Sequence, residues 1–425
     1  MNNRKETEIG LIPSDWKIVR FDENLEIKNG QVQPTKEPYS EMLHIGPENM
    51  IPHSGQLVEL KTNREARILS GNYHFTEDDI LYSKIRPYFN KVALPLFEGT
   101  CSADIYPVRP KDNSFDKFFL FYYFLSEIFL NQVVSFQART GIPKVNREEI
   151  GKTLLIKPSI KEQKEIAVVL SCLDRKSENL RKQNETLEAI AQTLFKHWFV
   201  DFEFPNEDGK PYKSSGGEMV RSEFGEIPAV WNVGKMEDII EVRDGTHDSP
   251  KQTKEGFHLI TSKHLKKEGI DFESAYLISE SDYREVNKRS KVDTYDILLS
   301  MIGTVGILYF VSDQNINFAI KNMGLFKASK NLDYAEYIFL FLSSEYGKAY
   351  VKTRLIGTTQ SYLTLSSLRE MPLIIPDKAI LLGFKQIAKS LFGKSHANNQ
   401  QIRTLTKTRD VLLPKLMSGN LRITE

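Results

Sequence analysis

The side chains that could carry covalent or metal chemistry are scattered through these 425 residues. The eight histidines form no HExxH pair, and the two cysteines, Cys101 and Cys172, stand far apart with no CxxC spacing. Neither a thiolate metal site nor a disulfide framework is expected, and each cysteine reads as a buried small apolar residue. The glycine-rich signatures that cradle phosphates, GxxxxGK[ST] and GxGxxG, do not occur, nor does the Asn-Pro-Pro-aromatic run of an adenine methyltransferase. Carboxylates are plentiful, as on any solvated surface, and none pairs with a matching lysine in a way that suggests a nuclease. The expectation is a non-catalytic chain with no cofactor or metal of its own.

The elements that could position binding groups come next. With 40% hydrophobic and 27% charged residues the chain is an ordinary globular one, long enough for two or more cores. A net charge of +1 gives no global basic signature, so a nucleic-acid surface would have to be a local patch. No apolar run reaches the roughly 18 residues of a membrane span, and the first residues lack the apolar core of a signal peptide, so a cytoplasmic protein is expected.

The chain repeats itself. EIGLIPSDWKIVRFDENLEIKNG from Glu8 aligns without a gap on EFGEIPAVWNVGKMEDIIEVRDG from Glu223, with Gly10, Ile12, Pro13, Trp16 and Gly30 matching Gly225, Ile227, Pro228, Trp231 and Gly245. DILYS from Asp79 echoes DILLS from Asp296, and KTLLIKP, ending at Pro158, echoes EMPLIIP, ending at Pro376. Near-constant offsets over such a distance mean duplication. Each copy, 1–158 and 223–376, reads as a mixed α/β domain: short apolar runs are strands, and FDKFFLFYYFLSEIFLNQVVSF and DYAEYIFLFLSSEYGKAYV read as buried helices whose aromatics are core. Residues 31–78 and 246–295 align poorly, so a common scaffold carries divergent recognition surfaces.

A long helix follows each domain, at 159–203 and 377–425, with a 204–222 linker between the copies. In the first helix Ile166, Leu173, Leu180, Leu187 and Leu194 recur every seven residues, with Leu170, Ser177, Asn184, Ala191 and Trp198 between them. In the second, Phe384, Leu391, Asn398, Leu405 and Leu412 alternate with Ala388, Ser395, Ile402, Arg409 and Leu416, and Pro414 with SGN at 418–420 marks the end. Stripes this narrow on helices this polar need a partner, and each helix is the simplest partner for the other. Antiparallel pairing with flush ends makes a rod of roughly 50 Å at 1.5 Å rise per residue. It places Asn184 opposite Asn398, a buried polar pair that would fix the register. The fold class is therefore mixed α/β, with two pseudo-repeated globular domains separated by two long antiparallel coiled-coil helices.

The layout, the segments GLIPSDW and DILYSKIRPYFNK, the seam LFKHWFVDFEFPNEDGKPYKSSGGEM and the closing LLPKLMSGNLRI together resemble the specificity subunit of type I restriction-modification systems. The resemblance covers essentially the whole chain. It implies that each domain is a target recognition domain reading one half of a bipartite, asymmetric sequence in double-stranded DNA. It implies also that the helices set the gap, that two methyltransferase (M) subunits and the restriction (R) subunits are partners, and that S-adenosylmethionine, ATP and Mg²⁺ belong to those partners. Trp198, Phe199 and Phe202 at the seam would close the first helix against the second domain or against a partner methyltransferase.

For DNA the candidates in the first copy are Lys84, Arg86 and Lys91 in SKIRPYFNK, where a strand-to-loop position would expose them, and Arg139 and Lys144 in ARTGIPKVN. In the second copy they are His247 and Lys251, Lys263 and His264, and Arg354, Gln360 and Tyr362. RTGIP and IGTTQ hold corresponding places in the two copies. Arg and Lys suit guanine edges or phosphates and Gln suits adenine, so residue type alone does not separate base readers from backbone anchors. The alternatives are a stand-alone two-module sequence-specific DNA-binding protein, which would bind tightly without partners, and an enzyme with a concave polar site.

Overall fold

In the computed structural model, which describes residues 4–136, 143–266, 269–357 and 361–423, one string of elements is built twice. The chain divides into two units, Met1–Asn179 with Ile402–Glu425, and Leu180–Gln401. Each copy of the repeated string opens with a hairpin, Arg4–Thr7 on Gly10–Pro13 in the first and Met219–Ser222 on Gly225–Pro228 in the second. Gly10 and Gly225 sit at φ 110° and 90°, a region that glycine enters without a Cβ clash. The next strand pairs antiparallel with the last one of its domain: Lys17–Arg20 with Leu154–Lys157, and Asn232–Lys235 with Pro372–Ile375.

The central strands are Ile80–Ser83 and Ile297–Ser300, buried along their whole length. Each lies in a four-stranded antiparallel sheet. The echo DILYS/DILLS has a physical reason, because the aspartate opening each strand is fully buried and needs a counter-charge. Asp79 accepts two 2.7 Å bonds from Arg109 and caps the Thr76 amide at 2.8 Å. Asp296 is paired with Lys327 and caps the Asp293 amide at 2.7 Å. Arg109 and Lys327 stand at matching places, so one electrostatic solution serves both copies.

A second sheet in each unit holds a parallel pair, Leu43–Ile45 beside Gly99–Ser102 and Phe257–Thr261 beside Phe318–Lys321. Here the copies part company. The first has five strands in this sheet, the second three, with an added helix at Glu280–Ser290. These are the stretches in which the sequences align poorly.

The aromatic runs form two short helices each, where the sequence suggested one. Lys117–Leu125, capped by Asp116 on the Phe119 amide at 3.0 Å, stops at Ser126. Glu127–Val134 then starts in a new direction, because Ser126 takes ψ 151°. Ser344 makes the same break between Ala335–Ser343 and Glu345–Thr353. Neither Gly nor Pro marks these breaks, so the sequence gives little warning. The aromatic rings are core: Phe119, Tyr123, Phe124 and Phe129 are fully buried.

The long helices run Ile160–Phe199 and Lys378–Met417. All twenty stripe positions are buried or half-buried. In the first unit Ile166 and Leu170 share a core with Leu416 and Met417, and Asp174 meets Arg409 at 3.0 Å. In the second, Asn398 donates to Asn184 at 2.9 Å and the Trp198 and Phe384 rings lie 5.8 Å apart. The pairing in each unit is antiparallel. The second helix passes Pro414, which forgoes only one backbone bond in the last turn, and ends at Met417, directly before the SGN that with Pro414 marks its end in the sequence. One expectation needs correction. Cys172 is exposed on the outer helix face, and only Cys101 is buried.

Each helix starts on the core of its own domain and finishes on the other core. Phe199, Phe202 and Phe204 pack against Trp231, with ring centroids 4.8–5.7 Å apart. At the far end of the chain Leu416 and Met417 complete the core that holds Trp16. The Trp16 indole donates to Glu162 at 2.9 Å, and Arg422 bonds both Glu162 and Asp15.

Candidate nucleic-acid interface

Lys84, Arg86 and Lys91 of the first unit lie on the loop after the central strand, which is bonded to the loops leaving the parallel strands. In the first unit Lys84 follows the central strand and its Nζ donates to Ala103 O at 2.7 Å, just beyond Gly99–Ser102. Lys91 Nζ donates to Pro47 O at 2.5 Å, just beyond Leu43–Ile45. Ile85 bridges Lys144, and the Arg86 amide donates to Pro143 O at 2.7 Å. Three loops and the segment from Pro143 therefore form one surface.

The second unit repeats the plan with other residues. Asn322, at the end of Phe318–Lys321, accepts from Ser262 Oγ through its carbonyl at 3.1 Å, and its side chain lies 2.8 Å from His247 Nδ1. The other ring nitrogen of His247 is 2.9 Å from Asp244, and the ring is 64% exposed. Ile302 and Ile356 both bridge Tyr362. The pairing of Ile302 with Tyr362 matches that of Ile85 with Lys144.

Several candidates change standing. Arg86, Lys144, Lys251, Lys263, Arg354 and Tyr362 are exposed. Arg354 lies over the Tyr350 ring at 5.2 Å. Lys84 and Lys91 are not exposed as the strand-to-loop reading suggested. Lys84 is held by Ala103 O and by Asp104 at 3.4 Å, and partial burial pulls the Lys91 ammonium below its ordinary pKa. These two lysines bind the loops to one another. His264 is also a correction: it is buried, its Nδ1 accepts from the Thr261 amide at 3.0 Å, and burial lowers its pKa. Trp198, Phe199 and Phe202 lie in the second core rather than on a free surface. Arg139 and Gln360 fall outside the described residues. Sequence reasoning missed Asn322, whose left-handed backbone at φ 55° closes the edge. Among the described residues no group of three or more His, Cys, Asp or Glu side chains could hold a metal ion, and no helix is long and apolar enough to cross a membrane.

The arrangement offers two polar edges built on one scaffold, suited to reading two different surfaces. The family model described as the type I restriction modification DNA specificity domain matches twice, at residues 13–189 and 228–405. The chain is 28% identical to the specificity subunit of the type I restriction enzyme MjaIX of Methanocaldococcus jannaschii, over 99% of this chain and 97% of that one. It is 25% identical to the HindI specificity subunit of Haemophilus influenzae, over 81% of this chain and 86% of its relative. The crystal structure of a type I restriction-modification S subunit from M. genitalium shares the fold, with a TM-score of 0.53 over 94% of this chain and 96% of that chain at 15% identity.

Proposed function

From the premise that this chain belongs to the type I restriction-modification DNA specificity family, we propose that its two loop edges read the two halves of one split, asymmetric DNA target. The chain is a specificity subunit with two recognition domains, and such a subunit binds DNA and assembles with others. The observation that carries the proposal is the doubled edge itself. Matched strands end at matched places, yet the exposed side chains differ: Arg86 and Lys144 in one unit, His247, Lys263, Arg354 and Tyr362 in the other. Equal scaffolds with unequal readers suit a site whose halves differ in sequence. Arg and Lys supply base-edge or phosphate contacts, and Tyr362 an apolar face beside a hydroxyl.

The paired helices set the gap between the half-sites. Two methyltransferase subunits and, where present, restriction subunits carry the catalysis, together with S-adenosylmethionine, ATP and Mg²⁺. Trp198, Phe199 and Phe202 act as the internal closure of the second unit, so partners dock on other faces. The test is a long-read map of N6-methyladenine in cells holding the cognate methyltransferase, with and without this gene. A split motif that disappears with the gene is expected. An active methyltransferase with no gene-dependent motif would overturn the proposal in favour of the stand-alone binder.

A further inference from the structure

The loop after the central strand is closed in both units by a backbone bond from the strand's last serine, Ser83 N to Lys91 O and Ser300 N to Ile307 O, and contains two positive-φ positions in each. In the second unit these are Gly303 at 78° and Gly306 at 96°. In the first they are Arg86 at 45° and Asn90 at 42°, residues that occupy the left-handed region at a steric cost glycine avoids. Asn90 has an internal reason to be there: it is fully buried, and its amide Nδ2 donates to Leu125 O at 3.0 Å. Arg86 has none visible. Its side chain is exposed, and only its backbone is bonded, the amide donating to Pro143 O at 2.7 Å and the carbonyl accepting from the Phe89 amide at 2.9 Å. The scaffold accepts glycine at this place, so keeping an arginine there points to work done by the side chain outward.

Between these two residues Pro87–Phe89 forms a single 3₁₀ turn. Pro87 is buried beneath it, whereas Tyr88 and Phe89 are 42% and 37% exposed with their rings 4.6 Å apart. The turn is closed by Asn90 N to Pro87 O at 2.8 Å and by Ser83 N to Lys91 O at 3.0 Å, and the His53 amide donates to Asn90 O at 3.2 Å. Two aromatic rings therefore stand on a tightly bonded turn that begins at Arg86, with Lys91 Nζ 6.0 Å from the Phe89 ring and Lys144 on the segment bridged to Ile85. The matching loop of the second unit, 301–306, has no aromatic residue.

We infer that the Arg86–Asn90 turn is a specificity-determining reader of the first unit, in which Tyr88 and Phe89 make apolar contact with the bases of its half-site and Arg86 bonds a base edge or phosphate next to them. The inference rests on the proposed reading of split DNA targets. The basic flanks suit a polyanion, and aromatic side chains meet bases at thymine methyls or at opened steps. Rigidity matters, because a turn already locked loses little freedom on binding.

The experiment uses the full-length chain with its cognate methyltransferase and reads both the methylated motif and the methylation rate. A wild-type chain that gives no split motif sinks the proposed function and the inference with it. Given a wild-type motif, the double variant Tyr88→Ser/Phe89→Ser should lose discrimination at one or more positions of one half-site, or methylate roughly tenfold more slowly, with the other half-site unchanged. An unchanged motif and rate overturns the inference while leaving the proposed function standing. Arg86→Gly supplies the control against misfolding. A purely structural Arg86 predicts unchanged methylation and an equal or higher Tm, since glycine suits φ 45° better. The inference predicts roughly tenfold slower methylation at that equal or higher Tm.

Discussion

Glu336, on the helix Ala335–Ser343, is 4% exposed, and its Oε2 has no hydrogen-bond partner. Burial raises its pKa above the ordinary 4.5, opposed by a backbone bond and by the charges of Lys385 and Lys389. A raised carboxyl pKa means that the folded state holds the proton more tightly than the unfolded chain does. The contribution to stability is complete below 4.5 and is lost as pH climbs through the raised folded value. Glu336→Gln should therefore flatten that slope. It should gain about 1 kcal/mol over wild type in mildly alkaline solution and little in acid, read from denaturant midpoints across pH. No such position announces itself in sequence. The corresponding residue of the first copy is Phe118, and only packing shows that a carboxylate has taken an apolar place. The same limit applies to Lys84, Lys91 and His264, whose types suggested DNA and whose loops turned them inward.

At the scale of elements, the seven-residue stripe was readable because it depends on period alone. It identified the paired helices, their direction and the meeting of Asn184 with Asn398. It was silent about Arg409, which sits on the stripe yet is charged. The structure supplies the reason: Arg409 is 5% exposed, meets Asp174 at 3.0 Å and the Ser54 carbonyl at 3.2 Å, and Tyr122 donates to Asp174 at 2.7 Å. The matching residues of the second unit are Ala191, Phe392 and Leu340, and Phe392 packs with Phe310 and Phe339 instead. One packing problem thus has a polar and an apolar solution. Arg409→Met should cost roughly 2 kcal/mol, below the usual figure for a buried pair because Asp174 keeps 30% exposure. The combination Tyr122→Leu, Asp174→Phe and Arg409→Ala, which copies the second unit, should recover much of that loss. Chemical unfolding of both variants measures the difference, and no recovery would mean that the two sites are not interchangeable.

For the whole molecule, duplication was the most legible property, since Gly10, Pro13 and Trp16 recur at one offset in Gly225, Pro228 and Trp231. The divergent second sheets were not legible, because short irregular strands such as Gln31–Val32 and Leu277–Ile278 have no period to detect. The crossing of each helix from one core to the other has a direct test. Arg4 Nη2 donates to Ser418 O at 3.0 Å, so the two ends of the described chain meet in the first unit. A circular permutant with those ends joined by a short linker and new termini opened in the exposed turn at Asp208–Gly209 should give the same methylated motif as the parent. Loss or change of either half-site in its methylation map would count against the pairing.

The same crossing governs how the protein is made. Leu416 and Met417 belong to the core that contains Trp16, and Arg422 completes the charge cluster around Glu162. The first unit is thus not continuous in sequence: residues 402–425 are synthesised only after the whole of the second unit, Leu180–Gln401. During translation that core stays open to solvent until those residues have been made, while the second unit already has all of its own. A chain cut short before residue 402 would carry one finished unit and one unfinished one, a ready substrate for proteases.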